Sequence, residues 1–329
     1  MSVGRFVLTV ETEMGFPLES KNLIATNSKS GLEAAVGNTP LLRLRHITTG
    51  LSPNVQIFAK AEWFNPGGSV KDRPALNILH QALDAGEFDN GKRLLDSTSG
   101  NMGIAYATLG AALEIQITLA IPSNASPERF TILKALNAKL ILTDPLEGAD
   151  GAILAAQQMA EQHPDKYYYA DQYGNPANWQ AHFYTTGPEI WNQTGGEVTH
   201  FVAGLGTTGT ITGVSKYLRE QADRVEIVAF QPDAPFHGLE GLKHMQSSIK
   251  PGIFDPDLPD RTLGVSTEDA YEMTRRLGRE EGLFVGVSSG AATVAALEIA
   301  VDLDQGVVVT VFPDAGYKYL SDKFWEQSV

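Results

Sequence analysis

Cysteine is absent from this chain of 329 residues. Its absence excludes disulfide bonds, iron–sulfur clusters and thiol nucleophiles, so any covalent chemistry must come from another side chain. A chain without cysteine is compatible with a reducing cytoplasm, which is the location we expect. No metal site is predicted.

Positive charge is also scarce, because 25 Lys and Arg residues face 39 Asp and Glu residues and give a formal net charge of −14. Such a charge argues against a nucleic-acid partner and against binding to an anionic membrane. No apolar run approaches the length of a membrane span. The N-terminal apolar patch Phe6–Val10 is short and is followed by Glu11 and Glu13, so we predict no signal peptide.

Apolar, β-branched segments alternate with segments of helical periodicity along most of the chain. This alternation implies βαβ units and a parallel sheet. A chain of this length is expected to form two domains or one large α/β unit. Outside the motifs below, strands are predicted at Leu41–Leu44, Arg93–Asp96, Ile115–Pro122, Lys139–Thr143 and Val307–Phe312, and helices at Pro127–Leu136, Ala149–Gln162, Gly238–Met245 and Ser266–Gly282.

The segment Asn65–Arg73, Asn-Pro-Gly-Gly-Ser-Val-Lys-Asp-Arg, lies between a predicted strand, Val55–Trp63, and a predicted helix, Pro74–Leu83. Ser69 is the expected N-cap, which places Lys71 in the first helical turn. A lysine there opposes the positive end of the helix dipole, and the local field lowers its pKa. An amine that attacks a carbonyl gains from such a site. A surface lysine in a surface helix is the alternative.

Two further strand-to-helix turns carry small hydroxyl residues and glycines, Ser97–Gly103 and Val285–Ala291. The first of these turns exposes backbone N–H groups that suit an anion such as a carboxylate. An ordinary N-capped turn is the alternative for the first. Ser288, in the second, is a candidate N-cap.

The glycine-rich segment Gly204–Thr210 follows a predicted strand, Thr199–Ala203, and has three interpretations. It satisfies G-x-G-x-x-G, and Asp233 follows the next strand, Ile227–Gln231, where a ribose-binding acid belongs; this favours a nicotinamide cofactor. The hydroxyl groups of Gly206–Thr210 instead suit a terminal phosphate dianion at a helix start. The third interpretation is a glycine-rich turn that allows close packing and binds no ligand.

Together with Gly37–Pro40 and Pro313–Leu320, these segments resemble the cysteine synthase family of fold-type II pyridoxal 5'-phosphate (PLP) enzymes, over roughly residues 32 to 321. The resemblance implies two α/β domains with open, twisted, mostly parallel sheets flanked by helices, with PLP in the cleft between them. It divides the chain into an N-terminal extension (1–31), a domain carrying the lysine and an asparagine loop (32–174), and a domain carrying the phosphate-binding loop (175–329). It also implies a homodimer.

The resemblance assigns Lys71 as the catalytic, Schiff-base lysine. It places Ser288 opposite the pyridine nitrogen, where a hydroxyl leaves the ring largely neutral and favours β-elimination and β-replacement over transamination. Met102 stands where the family has Thr. The implied cofactor contacts are Lys71, Asn101, Gly206, Thr207, Thr208, Gly209, Thr210 and Ser288, and the implied substrate contacts are Thr98, Ser99, Gly100, Asn101 and Gln172.

The implied activity is elimination of acetate or phosphate from O-acetyl-L-serine or O-phospho-L-serine, followed by addition of a sulfur nucleophile to give L-cysteine. The sulfur donor is sulfide, thiosulfate or a thiocarboxylated sulfur-carrier protein. Alternatives are a cystathionine β-synthase-like or serine/threonine dehydratase-like enzyme, an NAD(P)-dependent oxidoreductase, and a non-catalytic relative.

Within the family, the chain resembles the O-phosphoserine sulfhydrylase and cysteine synthase B-like branch most. Lys243 falls where that branch places a phosphate-binding arginine, so we predict that Lys243 contacts the leaving group. Lysine supplies charge without the bidentate fork of arginine. A solvated helix lysine is the alternative.

Overall fold

Two β-sheets organise the part of the chain that the structure describes, residues 31–98 and 100–326 of a computed structural model. The strands are β1 (Leu41–Arg43), β2 (Asn54–Ala61), β3 (Arg93–Ser97), β4 (Ile117–Pro122), β5 (Lys139–Thr143), β6 (Tyr167–Tyr169), β7 (His200–Gly204), β8 (Glu226–Pro232), β9 (Arg261–Val265) and β10 (Gln305–Phe312). The α-helices are α1 (Asp72–Asp84), α2 (Asn101–Ala112), α3 (Pro127–Ala135), α4 (Gly148–Gln162), α5 (Ala177–Ala181), α6 (Gly187–Gln193), α7 (Gly209–Gln221), α8 (Thr267–Glu280) and α9 (Val287–Ala300).

The larger sheet has the strand order β1-β2-β10-β7-β8-β9, in which β1 is antiparallel to β2 and the other pairs are parallel. Its central strands are apolar on both faces because helices cover both sides. In β7, Val202 packs with α8 and α9, whereas its neighbour Phe201 packs on the α7 side. β10 repeats this alternation with Val308 and Val309. Because successive residues of a strand point to opposite faces, each of these strands contributes side chains to the apolar clusters on both sides of the sheet.

The smaller sheet has the order β5-β4-β3-β6 with all strands parallel. Every residue of β4 is buried. The helices α1 and α2 pack together, with Ile78 of α1 and Tyr106 of α2 in one apolar cluster that includes Leu119 of β4. This cluster fixes the starts of both helices relative to the sheet.

The predicted fold class is confirmed by two mostly parallel sheets flanked by helices. The larger sheet also takes β1 and β2 from the predicted N-terminal domain, because β2 pairs with β10. The predicted boundary at residue 174 stays a prediction, and residues 1–30 of the predicted extension lie outside the described residues.

Three local predictions are wrong. Ser69 is not the N-cap of the lysine helix, because α1 begins at Asp72 and Lys71 itself occupies the cap position. The predicted helical stretch Gly238–Met245 consists of turns and irregular backbone. Ser288 is not a cap either, since α9 begins at Val287 and Gly286 is its N-cap. At the start of the predicted helix Ser266–Gly282, Ser266 caps α8 by accepting the N–H of Asp269.

Among the described residues, no helix is long and apolar enough to cross a membrane. Within the same ranges, no cluster of His, Asp and Glu has the arrangement of a metal site.

Candidate active site

A cavity of about 110 Å³ lies at the carboxyl ends of the parallel strands, where loops from both sheets meet. Such a position is where open α/β sheets bind ligands. Nine of the residues predicted to form a site line this cavity: Lys71, Thr98, Gly100, Asn101, Gln172, Gly206, Thr207, Lys243 and Ser288.

Lys71 lies between β2 and α1, and its side chain reaches the cavity. Burial lowers its pKa from the ordinary value of 10.5 to about 8, while the nearby carboxylates of Asp314 and Glu62 act in the opposite direction. Desolvation by burial, and not the helix dipole expected from the sequence, is the largest cause of this shift in pKa. The amine therefore loses its proton more readily than a solvated lysine does.

A buried ion-pair network anchors the start of α1 behind Lys71. The Arg73 guanidinium donates to Glu62 (2.7 Å from Nε) and to Glu189 (2.7 Å from Nη1). Lys60 Nζ, which is fully buried, lies 2.6 Å from Glu189 Oε2. Because each charge has a partner of opposite sign, the network tolerates burial. It ties the lysine loop to β2 and α6.

The loop that precedes α2 is shaped by the Thr98 hydroxyl. Thr98 Oγ1 accepts the N–H groups of Gly100 and Gly103, each at 3.0 Å. Gly100 cannot carry a side chain without a rearrangement, because a Cβ there would lie 2.8 Å from Arg129 Nε. Ser99, the remaining predicted contact of this loop, lies outside the described residues.

Asn101 is the first residue of α2, and both ends of its amide are engaged. Its Nδ2 donates to Asp314 Oδ2 at 2.7 Å, and its Oδ1 accepts a hydrogen bond from Lys318 Nζ at 2.8 Å. Asp314 and Lys318 were not among the predicted site residues, although the segment that contains them was singled out by resemblance.

Gln172 is buried at the end of the loop after β6. Its Nε2 donates to the carbonyl of Ser97 at 2.6 Å, and its backbone N–H donates to Asp96 Oδ2 at 3.2 Å. Burial raises the pKa of Asp96 to about 7. Gln172 is therefore held against the asparagine loop and is not a solvated loop residue.

The glycine-rich loop before α7 brings backbone close to backbone. A Cβ on Gly206 would lie 2.3 Å from the carbonyl oxygen of Gly241, so only glycine fits there. A Cβ on Gly209, the first residue of α7, would overlap the side chain of Asn178. The N–H groups of the first turn of α7 lack intrahelical acceptors, which makes this loop suitable for an anion.

The threonines of this loop differ in their surroundings. Thr207 lines the cavity. Thr208 has φ +67°, a left-handed conformation rare for threonine, and its buried Oγ1 has no hydrogen-bond partner among the described residues. Strained backbone and unpartnered buried hydroxyls are common features of ligand-binding sites. Thr210 Oγ1 instead lies 3.3 Å from Nε2 of the buried His182.

Lys243 lies in the cavity wall and is buried. Its Nζ is 2.7 Å from Asp150 Oδ1, at the start of α4, and 5.1 Å from the centroid of the Tyr173 ring. The pair joins a helix of the smaller sheet to the segment after β8. Lys243 is thus not a solvated lysine, and its charge already has a partner.

Arg129 and Glu240 form a second ion pair across the cavity, and both line it. The Arg129 guanidinium also lies 5.4 Å from the ring centroid of Tyr319. Neither residue was predicted to belong to the site, because the residues next to Arg129 and Glu240 in the sequence do not indicate that the two form a pair.

Comparison with known proteins gives one consistent result. The family model described as pyridoxal-phosphate dependent enzyme matches residues 32–314. Cysteine synthase from Aquifex aeolicus is 55% identical over 87% of this chain and 89% of that protein. Cysteine synthase B from Escherichia coli is 43% identical over 89% of this chain and 95% of that protein. The crystal structure of cysteine synthase (OASS) from Entamoeba histolytica matches with a TM-score of 0.86 and 35% identity, over 93% of this chain and 94% of that one.

Proposed function

The chain belongs to the family of pyridoxal-phosphate dependent enzymes, and we propose that it makes L-cysteine by β-replacement in the cavity described above. One observation carries the proposal: Lys71, Asn101, Thr207 and Ser288, which come from four distant segments, line the same cavity. The similarity to cysteine synthases over most of their length supports the same conclusion.

The residues present fit pyridoxal 5'-phosphate. Lys71 supplies an amine of lowered pKa for the aldehyde. The start of α7, with the unpartnered Thr208 hydroxyl and the close approach at Gly206, suits the phosphate. Asn101 is proposed for the ring hydroxyl and Ser288 for the ring nitrogen. When bound, the cofactor supplies the electron sink that stabilises negative charge at the substrate Cα.

Lys71 is proposed as the proton-transfer residue as well as the attachment point. Its Nζ accepts the proton from the substrate Cα as the bond from Cβ to the leaving oxygen breaks, and it returns the proton to Cα when the bond from Cβ to sulfur forms. A pKa of about 8 is near the operating pH, where a group both accepts and returns a proton effectively. The Arg73–Glu62 pair holds the start of α1 in place for this transfer.

The asparagine loop is proposed to bind the substrate carboxylate. The N–H groups of Asn101 and Met102, unlike that of Gly103, have no acceptor among the described residues, and the loop has no side chain at Gly100. Gln172 lines the same part of the cavity, and its position is fixed by Ser97. Thr98 shapes the loop through its hydroxyl.

We propose an O-activated L-serine as the carbon substrate, with acetate or phosphate as the leaving group and Lys243 as its contact. Sulfide or a thiocarboxylated carrier protein is proposed as the sulfur donor. A homodimer in the cytoplasm follows from the family resemblance as a further proposal.

The alternative functions fall into two groups, and the first group is distinguished from cysteine synthesis by its product. A cystathionine β-synthase-like or serine/threonine dehydratase-like enzyme uses the same lysine but ends in a thioether or in pyruvate. The nicotinamide alternative explains Gly204–Gly209 and Asp233 but leaves Lys71 and the asparagine loop without a function, so it is not retained.

The test begins with protein purified in the presence of pyridoxal 5'-phosphate. We expect a yellow protein whose absorbance is lost on borohydride reduction, with the cofactor mass fixed on Lys71 in a peptide map. With sulfide and each O-activated serine, cysteine should form, and Lys71→Ala should abolish its formation. Failure to bind the cofactor, or release of pyruvate or cystathionine without cysteine, refutes the proposal.

A further inference from the structure

The side chain of Asn101 is held by two residues from the segment after β10. Lys318 Nζ donates to Asn101 Oδ1 at 2.8 Å, and Asn101 Nδ2 donates to Asp314 Oδ2 at 2.7 Å. Lys318 and Asp314 are both buried. Neither contact follows from local sequence, since more than two hundred residues separate the partners.

The chemistry of these partners permits one orientation of the Asn101 amide. An ammonium group only donates hydrogen bonds, and an ionised carboxylate only accepts them. The amide oxygen must therefore face Lys318 and the amide nitrogen must face Asp314. Rotation of the amide by half a turn would place two donors together at Lys318 and two acceptors together at Asp314.

This orientation decides what Asn101 offers to a ligand. Its oxygen accepts a hydrogen bond from Lys318, whereas its nitrogen carries a second N–H for which residues 31–98 and 100–326 provide no acceptor. Asn101 lines the cavity. It is thus presented to the cavity as a hydrogen-bond donor.

Lys318 also reaches the lysine loop. Its Nζ donates to the carbonyl oxygens of Gly67 and Gly68, at 3.0 and 3.1 Å. Asp314 is held in turn by the Tyr319 hydroxyl, which donates to Oδ2 at 2.8 Å. A Cβ on Gly286, next to the start of α9, would lie 2.1 Å from Asp314 Oδ1. The pair therefore ties together the lysine loop, the asparagine loop and the start of α9.

We propose that Lys318 and Asp314 are positioning residues that lock the Asn101 amide as a donor toward an acceptor oxygen in the cavity. Under the proposed function, on which this inference rests, that acceptor is the ring oxygen of the cofactor. Lys318 is not among the residues that line the cavity, so it acts through Asn101.

The experiment is a double-mutant cycle on cofactor affinity. Apo protein is prepared from wild type, Lys318→Met, Asn101→Ala and the double variant, and each is titrated with pyridoxal 5'-phosphate by absorbance. We expect Lys318→Met alone to weaken binding by about ten-fold, the value of one hydrogen bond to a charged group, and to shift the absorption maximum. In the Asn101→Ala background the same change should weaken binding by a clearly smaller factor, because only the contacts of Lys318 with the Gly67 and Gly68 carbonyls remain to be lost.

Two controls separate positioning from general damage. Lys323→Met makes the same chemical change at an exposed lysine five residues along and should leave affinity and spectrum unchanged. Lys318→Arg keeps a cationic donor and should recover most of the affinity. If Lys318→Met does not fold, Asp314→Asn removes the orientation constraint at the other end of the amide and enters the same cycle.

The outcomes distinguish this inference from the proposed function. Equal losses from Lys318→Met in both backgrounds, or a loss that Lys318→Arg does not recover, refute the positioning assignment. If Asn101→Ala itself leaves affinity unchanged, or wild type does not bind the cofactor, the proposed site is wrong.

Discussion

Replacement of Asp150 by Asn should change the choice of leaving group. In the structure the Asp150 carboxylate lies 2.7 Å from Lys243 Nζ and also accepts the backbone N–H of Ile249 at 2.9 Å. A phosphate dianion that approaches Lys243 therefore competes with an internal carboxylate and is repelled by it. Loss of the Asp150 charge frees the Lys243 ammonium for the phosphate of O-phosphoserine, whereas the uncharged ester of O-acetylserine gains little.

The size of the effect follows from the contact that becomes available. A hydrogen bond to a charged group contributes about 1.5–3 kcal/mol, which corresponds to about ten-fold or more in kcat/KM. The Asp150 side chain is 32% exposed, so solvent screens part of its charge and the lower value applies. We expect the ratio of kcat/KM for O-phosphoserine to that for O-acetylserine to rise by about ten-fold.

The assay measures cysteine formation from both donors at fixed sulfide. Glu161→Gln, which removes one negative charge from the far, exposed end of the same helix, is the matched control and should leave the ratio unchanged. Lys243→Ala should lower kcat/KM selectively for O-phosphoserine, and in the Asp150→Asn background it should abolish the gain. An unchanged or lower ratio in Asp150→Asn, or equal losses on both donors in Lys243→Ala, would remove Lys243 from the leaving-group site.

Three further predictions concern the lysine and the phosphate loop. Lys71→Ala should eliminate turnover while circular dichroism and melting temperature stay near wild type, and residual β-replacement near the wild-type rate would contradict the central assignment. Changing Thr207 and Thr208 together to Val should weaken cofactor retention more than it slows turnover of the saturated enzyme, since the phosphate is remote from the reacting bonds; unchanged retention measured by dialysis would contradict it. Because the Lys71 pKa is lowered to about 8 and only the neutral amine attacks an aldehyde, the rate of cofactor attachment to apo protein should rise with pH, reach half its maximum near pH 8 and then level off, as followed by stopped-flow absorbance. A rate still rising steeply at pH 10 would indicate an ordinary, solvated lysine.

Those parts of the site that are made of backbone were predictable from the sequence. The loops at Ser97–Gly103 and Gly204–Thr210 each follow a strand and precede a helix, and glycine and hydroxyl residues mark such turns directly. The predicted strand Lys139–Thr143 matches β5 at both ends. Periodicity did not reveal β6 or β9, because β6 has three residues and β9 lies at the edge of its sheet with most of its residues exposed or half-buried.

Side-chain partners across the cavity were not predictable in this way. The Asp150–Lys243, Arg129–Glu240 and Lys318–Asn101 contacts each join segments that lie far apart in sequence. Nothing local to any of these residues specifies its partner, since a lysine that pairs across a cleft has the same neighbours as a solvated one. The resemblance located Lys243 but gave no indication of Asp150, which changes what that lysine is expected to do.

The charge of the whole chain likewise does not describe its cavity. A net charge of −14 argues against nucleic acids, yet the ligands proposed here are anions. Arg129 and Lys243 line the cavity, and Lys318 stands directly behind Asn101. Because the first two are paired with Glu240 and Asp150 and Lys71 is proposed to hold the cofactor, an anion is expected to bind through directed N–H groups or by exchange of an ion-pair partner. The N–H groups at the starts of α2 and α7 provide directed contacts, and Lys243 provides an ion pair whose partner can be exchanged. We therefore propose backbone loops for the substrate carboxylate and the cofactor phosphate. We propose Lys243 for the leaving group, so removal of the Asp150 charge should alter which leaving group the enzyme prefers.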